Sequence, residues 1–240
     1  MKSIVLLSGG LDSLVSLAAA KDQGQVILAL NFDYGQKSAK MEKNASEKIA
    51  KHYGVPFQNI KLDWLRDITN TSLVSKKEDV PVIDEKKFEW QLEITCENAK
   101  AVWVPNRNGV FVHIAASFAE SLGADTIVAG FNSEEAATFP DNSLRFVNSA
   151  NQMLRLSTLS KPKVISYVQS FNKTGIINMG LKHKVPFELI YSCYVSDKEG
   201  KMCGKCESCA RLRRAFKLTH NYELIRLKFA DEKELPADAV

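Results

Sequence analysis

Ser3-Ile4-Val5-Leu6-Leu7-Ser8-Gly9-Gly10-Leu11-Asp12-Ser13 is the stretch on which the reading of this chain turns. Residues 3–8 form an apolar run rich in branched side chains, as expected of a strand buried on both faces of a parallel sheet. From Asp12 to Gln23 the period changes: Leu14, Leu17 and Ala18 share one helical face, and Gly24 can end the helix. The glycine pair between strand and helix lets the backbone turn tightly, so that several N–H groups face one point. The helix presents its positive N-terminal end to the same point. Ser8 and Ser13 add hydroxyl groups, and Asp12 can hold a Mg²⁺ that touches phosphate. A glycine pair followed by an Asp/Ser helix cap would show similar letters. The place of the motif favours phosphate binding, because open α/β sheets bind ligands at the ends of their strands. The pattern is neither the dinucleotide GxGxxG nor the Walker GxxxxGK[ST].

Outward from this loop, residues 25–32 again read as a strand. Met41, Ala45 and Ile49 mark a second helix that ends before Gly54-Val55-Pro56, and residues 58–63 suit a third strand. This alternation predicts a doubly wound, mostly parallel α/β sheet. Residues 64–104 break the rhythm with mixed-charge runs and read as an irregular excursion or a lid. Regularity returns at 109–122, where Val110, Phe111, Ile114, Ala115 and Phe118 form an apolar face. A strand is expected at 126–131, a further one at 163–166, and a helix from Lys173 to His183.

The 240 residues carry 32 basic and 28 acidic side chains, a formal net charge of +4. That balance points to a small anionic ligand and away from a long polyanion, so no direct nucleic-acid partner is expected. No apolar run approaches the roughly 20 residues needed to span a bilayer. The N-terminal apolar run stops after Leu7 without a small-residue cleavage site, so a cytoplasmic location is expected. The arginines of α-helical character at 211, 213 and 214 read as a solvated helix face, with a nucleic-acid contact as the lesser alternative.

Cys193, Cys203, Cys206 and Cys209 fall close together, while Cys96 stands alone and reads as a small packed residue. In a reducing compartment such a cluster is a metal site before it is a pair of disulfides. Four thiolates with no histidine nearby suit a closed structural Zn²⁺. An iron–sulfur cluster is the rival.

Ser8-Gly9-Gly10-Leu11-Asp12-Ser13 resembles the phosphate loop of the PP-loop ATP pyrophosphatases, whose fold is that of the adenine nucleotide alpha hydrolases. Phe32-Asp33-Tyr34-Gly35-Gln36, Val104-Pro105-Asn106-Arg107-Asn108, Lys173-x2-Ile176-x3-Gly180 before Val185-Pro186, and Ser192-Cys193-Tyr194 narrow the likeness. In that order and spacing, from residue 3 to about residue 216, they resemble the 7-cyano-7-deazaguanine synthases of queuosine biosynthesis. The resemblance implies an ATP-binding domain over residues 1–185 and a zinc-binding segment over 186–240. It implies an ATP-dependent ligase that turns 7-carboxy-7-deazaguanine and ammonia into 7-cyano-7-deazaguanine through adenylated intermediates, with ATP, Mg²⁺ and Zn²⁺ as cofactors. A homodimer is implied as well.

Carried over by position, Ser8 to Ser13 would hold pyrophosphate, and Asp12, Lys173 and Arg107 would serve the chemistry. Arg107, Asn108 and Asp141 would meet the deazaguanine. Three stretches depart from the family pattern, one of them Tyr167-Val168, where the family has Pro-Leu before the lysine helix. Lys37-Ser38 stands where the family has Arg-His. Residues 135–143 keep only Pro140 and Asp141 of the expected Asp-Tyr-Ser-Gly-Tyr-Pro-Asp-Cys-Arg, with Glu135 and Phe139 as milder changes. Each residue also has a plainer reading: Arg107 as a surface ion pair, Asp141 as the start of a turn, Lys173 as a solvated helix residue. Another PP-loop adenylating enzyme, such as a tRNA-thiolating one, and a nucleotide-sensing zinc-ribbon-like protein are the competing functions.

Overall fold

The computed structural model describes residues 1–75, 77–82, 99–195 and 199–232. Cys96 and much of the 64–104 excursion lie outside these residues. Five parallel strands, β1 (Lys2–Leu6), β2 (Gln25–Asp33), β3 (Phe57–Lys61), β4 (Thr126–Val128) and β5 (Lys163–Ile165), form one sheet in the order β3-β2-β1-β4-β5. The chain winds outward from β1 to β2 and β3, then returns to the other side of β1 for β4 and β5. Its direction of winding therefore reverses between β1 and β4, and a crevice opens there at the C-terminal strand ends.

The pleat divides the strand side chains between two apolar layers. Ile4, Leu28, Leu30 and Ile127 face one layer, and Val5, Ala29 and Val128 face the other. Helices α1 (Leu11–Gln23), α2 (Ala39–His52), α7 (Lys173–Lys182) and α8 (Glu207–Leu218) cover the second of these layers. Helices α4 (Arg107–Leu122) and α6 (Leu144–Ser157) cover the first. Two short helices complete the set: α3 (Asp63–Asp67) after β3, and α5 (Ser133–Ala136) after β4.

The strand expected over 126–131 ends at Val128, because Ala129, Gly130 and Phe131 leave the sheet to pass beneath the first loop. Helix α4 begins two residues earlier than its apolar face suggests, after Asn106 in a left-handed turn at φ 50°. Helix α6 had no counterpart in the sequence reading. The C-terminal residues are not peripheral to the sheet: Phe216 and Phe229 are fully buried in the same cluster as Leu14, Val15 and Ile176. Phe216 meets Phe187 edge to face at 5.2 Å.

The expectation of a solvated arginine face on α8 is overturned. Arg211 and Arg213 are 6% and 7% exposed. Arg211 pairs with Glu207 at 2.6 Å and Arg213 with Asp231 at 2.5 Å, while Arg214 reaches Glu134 at 2.8 Å. Buried charges need such partners, since desolvation is otherwise prohibitive. Arg211 and Arg213 are thus committed inside the protein, and Arg214 is partly buried against Glu134.

A phosphate-loop cleft beside a four-sulfur cluster

The loop between β1 and α1 is shaped by what surrounds it. Gly9 has φ +83°, and a Cβ there would come within 2.8 Å of the Glu42 carbonyl and 2.9 Å of Ala45. Only glycine meets both conditions without strain. On the other side, a Cβ on Gly130 would lie 2.9 Å from the Ser13 backbone nitrogen. The strand β4 exit therefore packs against the loop with no room for a side chain. Ser8 and Ser13 hydroxyls lie 3.1 Å apart, and the Ser13 hydroxyl donates to the Gly10 carbonyl. Helix α1 starts at Gly10 with no side chain capping its first turn. Its N–H groups and its positive end are left for an anion.

Asp12 and Lys173 meet inside this frame, although 161 residues separate them. Asn172 caps α7 by accepting from the Gly175 N–H, which sets Lys173 as the first helical residue. The Lys173 ammonium, on a residue 7% exposed, donates to Asp12 Oδ2 and to Glu135 Oε1, both at 2.5 Å. The plain reading of Lys173 as a solvated helix residue is thereby excluded. Burial pushes the Asp12 carboxyl up to about 6, with Lys173 pulling it down and Glu135 adding to the rise. Burial acts the same way on Glu135, but the Lys173 charge and hydrogen bond, together with the Arg211 and Arg107 charges, outweigh it and hold that carboxyl below the ordinary range. Lys173 is disfavoured as a cation by burial, yet the two carboxylates more than compensate and raise it. Asp12 Oδ1 is buried and has no hydrogen-bond partner among the described residues. Such an atom calls for a ligand, because an unsatisfied buried acceptor is costly.

A cavity of about 240 Å³ opens over these groups. Ser8, Gly10, Asp12, Ser13, Glu135 and Lys173 line one part of it. Arg107, Asn108, Phe111, Tyr34, Phe139 and Asn142 line another. Arg107 donates to the Tyr34 hydroxyl at 3.2 Å, and Phe111 stacks on Phe32 with centroids 4.1 Å apart. Asp141 is placed differently. It is the middle residue of the short turn Pro140–Asn142, and its carbonyl accepts from Asn108 Nδ2 at 3.3 Å, while its neighbour Asn142 lines the cavity. Gly9 and Leu11 are buried behind the loop and shape it from within.

The four sulfurs of Cys193, Cys203, Cys206 and Cys209 all lie within 4.8 Å of one another. The pairs Cys193–Cys206 and Cys203–Cys209 are 4.0 and 3.9 Å apart. Ligand sulfurs about 2.3 Å from a tetrahedral centre would be separated by ~3.8 Å, so the group fits one metal ion. Backbone N–H groups of Cys203, Lys205 and Cys206 point at these sulfurs and offset thiolate charge. The cluster is tied to the cleft: Tyr191 N–H donates to the Gly9 carbonyl at 2.8 Å, two residues before Cys193. The hold that Glu134 and Glu135 have on Lys173 is not among the sequence expectations. An adjacent pair of carboxylates after β4 was the available signal.

Comparison with known proteins agrees with the geometry. The family model described as "Queuosine biosynthesis protein QueC" matches residues 2–220. The 7-cyano-7-deazaguanine synthase of Pelotomaculum thermopropionicum is 52% identical over 217 residues, covering 90% of this chain and 97% of that protein. The synthase of Methanosarcina mazei is 47% identical over 219 residues, covering 90% of this chain and 94% of the other. Among solved structures, a 4-thiouridine synthetase–RNA complex with bound ATP is 19% identical, with a TM-score of 0.45, covering 97% of this chain and 54% of that one. Likeness that slight does not bear on activity. With the family pattern running through nearly the whole chain, from the phosphate loop to the last cysteine, this protein belongs to the QueC family of queuosine biosynthesis proteins.

Proposed function

We propose that the chain converts 7-carboxy-7-deazaguanine and ammonia into 7-cyano-7-deazaguanine at the expense of ATP. The observation that carries this reading is the cleft in which an uncapped helix N-terminus, Asp12 and Lys173 converge beside Arg107 and an aromatic wall. A carboxylate is a poor electrophile, so one of its oxygens must first become a leaving group. Attack of that oxygen on the α-phosphorus of ATP expels pyrophosphate and gives an acyl adenylate. Ammonia displaces AMP and leaves the amide. A second ATP activates the amide oxygen, and loss of AMP with two protons gives the nitrile.

No covalent enzyme nucleophile is required. The protein's contribution is positioning and balance of phosphate charge. In this reading the N–H groups and hydroxyls from Ser8 to Ser13 hold the pyrophosphate. Lys173 and Arg107 offset negative charge, and Arg107, Asn108 and Asp141 receive the deazaguanine. The unpartnered Asp12 Oδ1 fits a Mg²⁺ ion, which would neutralise the phosphates when bound. The sulfur spacing favours Zn²⁺ in the cysteine cluster, where it would hold the C-terminal segment in place.

A homodimer working in the cytoplasm on small molecules, without direct contact to nucleic acid, is the proposed setting. Among the described residues, no helix is long and apolar enough to cross a membrane. Light scattering of the purified protein checks the dimer. The function is checked by incubating the protein with ATP, Mg²⁺, ammonia and the carboxy-deazaguanine and following products by mass spectrometry. The nitrile is expected; an amide end product or no reaction would contradict the reading.

A further inference from the structure

Glu134 sits where three elements meet. Its side chain is 14% exposed. Oε2 accepts from the backbone N–H of Lys173 at 3.0 Å. Oε1 accepts from Arg214 Nη2 at 2.8 Å and from Arg211 Nη1 at 3.4 Å. Both arginines stand on α8, which starts at the cluster residue Cys206 and carries Cys209 in its first turn. The next residue, Glu135, grips the other end of the same lysine at Nζ. Consecutive carboxylates thus hold Lys173 by backbone and by side chain, and the one that holds the backbone is anchored to the helix of the sulfur cluster.

We propose that Glu134 is a positioning residue that clamps α8 to the start of α7, so that the cysteine cluster sets where the Lys173 charge lies over the phosphate loop. The proposal rests on the functional reading given above. An ion pair that only added stability would need neither the Lys173 N–H nor a neighbour on Lys173 Nζ. Two arginines on one carboxylate oxygen leave the second oxygen directed at the lysine backbone. Replacing the carboxylate by an amide leaves one acceptor for three donors, so the lysine end and the arginine end cannot both be served.

Glu134→Gln tests the clamp. The variant should keep its metal and fold, and its kcat should fall by about 10- to 100-fold, as misplacement of a charged group commonly costs. The KM values for ATP and the carboxy-deazaguanine should stay within about twofold, since ground-state contacts are untouched. Arg214→Met should give the same pattern, and the double variant should be little worse than either single one. Arg214→Met alone decides the matter should Glu134→Gln fail to fold. A metal-loaded, folded variant with wild-type kcat would overturn the proposal, as would equal losses in kcat and in folded fraction. Wild-type turnover of the carboxy-deazaguanine is the control for the functional reading. A readout independent of it is the acetylation rate of Lys173 relative to the other lysines, followed by mass spectrometry. That rate should rise in Glu134→Gln, and an unchanged rate would overturn the clamp whatever the substrate.

Discussion

Asp12 shares one carboxylate oxygen with Lys173 and keeps the other buried, with no hydrogen-bond partner among the described residues. Asp12→Ala should therefore abolish pyrophosphate release in a protein that still folds, with a lowered unfolding temperature because the buried Lys173 ammonium keeps only Glu135 as its carboxylate partner. Full turnover in the folded variant would refute the phosphate-loop assignment. The carboxyl raised to about 6 gives a pH dependence. Only the ionised form attracts a cation, so at fixed subsaturating Mg²⁺ pyrophosphate release should fall as pH drops through about 6. Extra Mg²⁺ should move that midpoint downward, since a bound cation favours the carboxylate. A pH profile at two Mg²⁺ concentrations checks both signs. Gly130→Ala places a methyl against the Ser13 backbone, where only the loop can yield. It should lower kcat/KM for ATP by about 100-fold, the scale of a 1 Å misplacement. Asp141→Asn asks a finer question. An acceptor lost from the base edge should weaken deazaguanine binding by about 2–3 kcal/mol and spare ATP, whereas no effect would leave Asp141 as a turn residue. The loop was legible because phosphate chemistry constrains adjacent letters. Glu134 and Glu135 were not, because their partners stand far along the chain.

Helix α8 shows why an element can be misread. Arg211, Arg213 and Arg214 look like a solvated face when the sequence is scanned alone. Their partners Glu134, Glu207 and Asp231 come from three different places. The same helix carries Cys209 and follows directly on Cys206, and the cysteine spacing was legible because a metal fixes its ligands locally. Purified protein should hold about one Zn²⁺ per chain and be colourless, as a closed four-thiolate site requires. Iron and acid-labile sulfide in a brown preparation would reverse that choice. Cys206→Ser should lower the melting temperature and release the metal first, with activity lost as α8 loosens. Metal analysis and calorimetry on one sample distinguish this order from a direct catalytic role. Helix α6 was missed for another reason: it follows the drifted stretch and carries the exposed apolar residues Leu144, Met153 and Leu156, which blur its apolar periodicity.

At the scale of the molecule, the alternation of strands and helices predicted the doubly wound sheet, and the reversal between β1 and β4 explains why the phosphate loop faces residues from the far end of the chain. The strand order itself was not legible, since apolar runs mark where strands lie and not which neighbours they pair with. Phe216 and Phe229 share a cluster with α1 and α7, so heat should unfold the metal-loaded protein in a single transition. The central claim is that both oxygens of the substrate carboxylate leave on AMP. Carboxy-deazaguanine labelled with ¹⁸O in both carboxylate oxygens, turned over with ATP and ammonia, tests this most directly. The account predicts two AMP molecules per nitrile, each carrying one ¹⁸O; label in inorganic phosphate, or unlabelled AMP beside the nitrile, would contradict it.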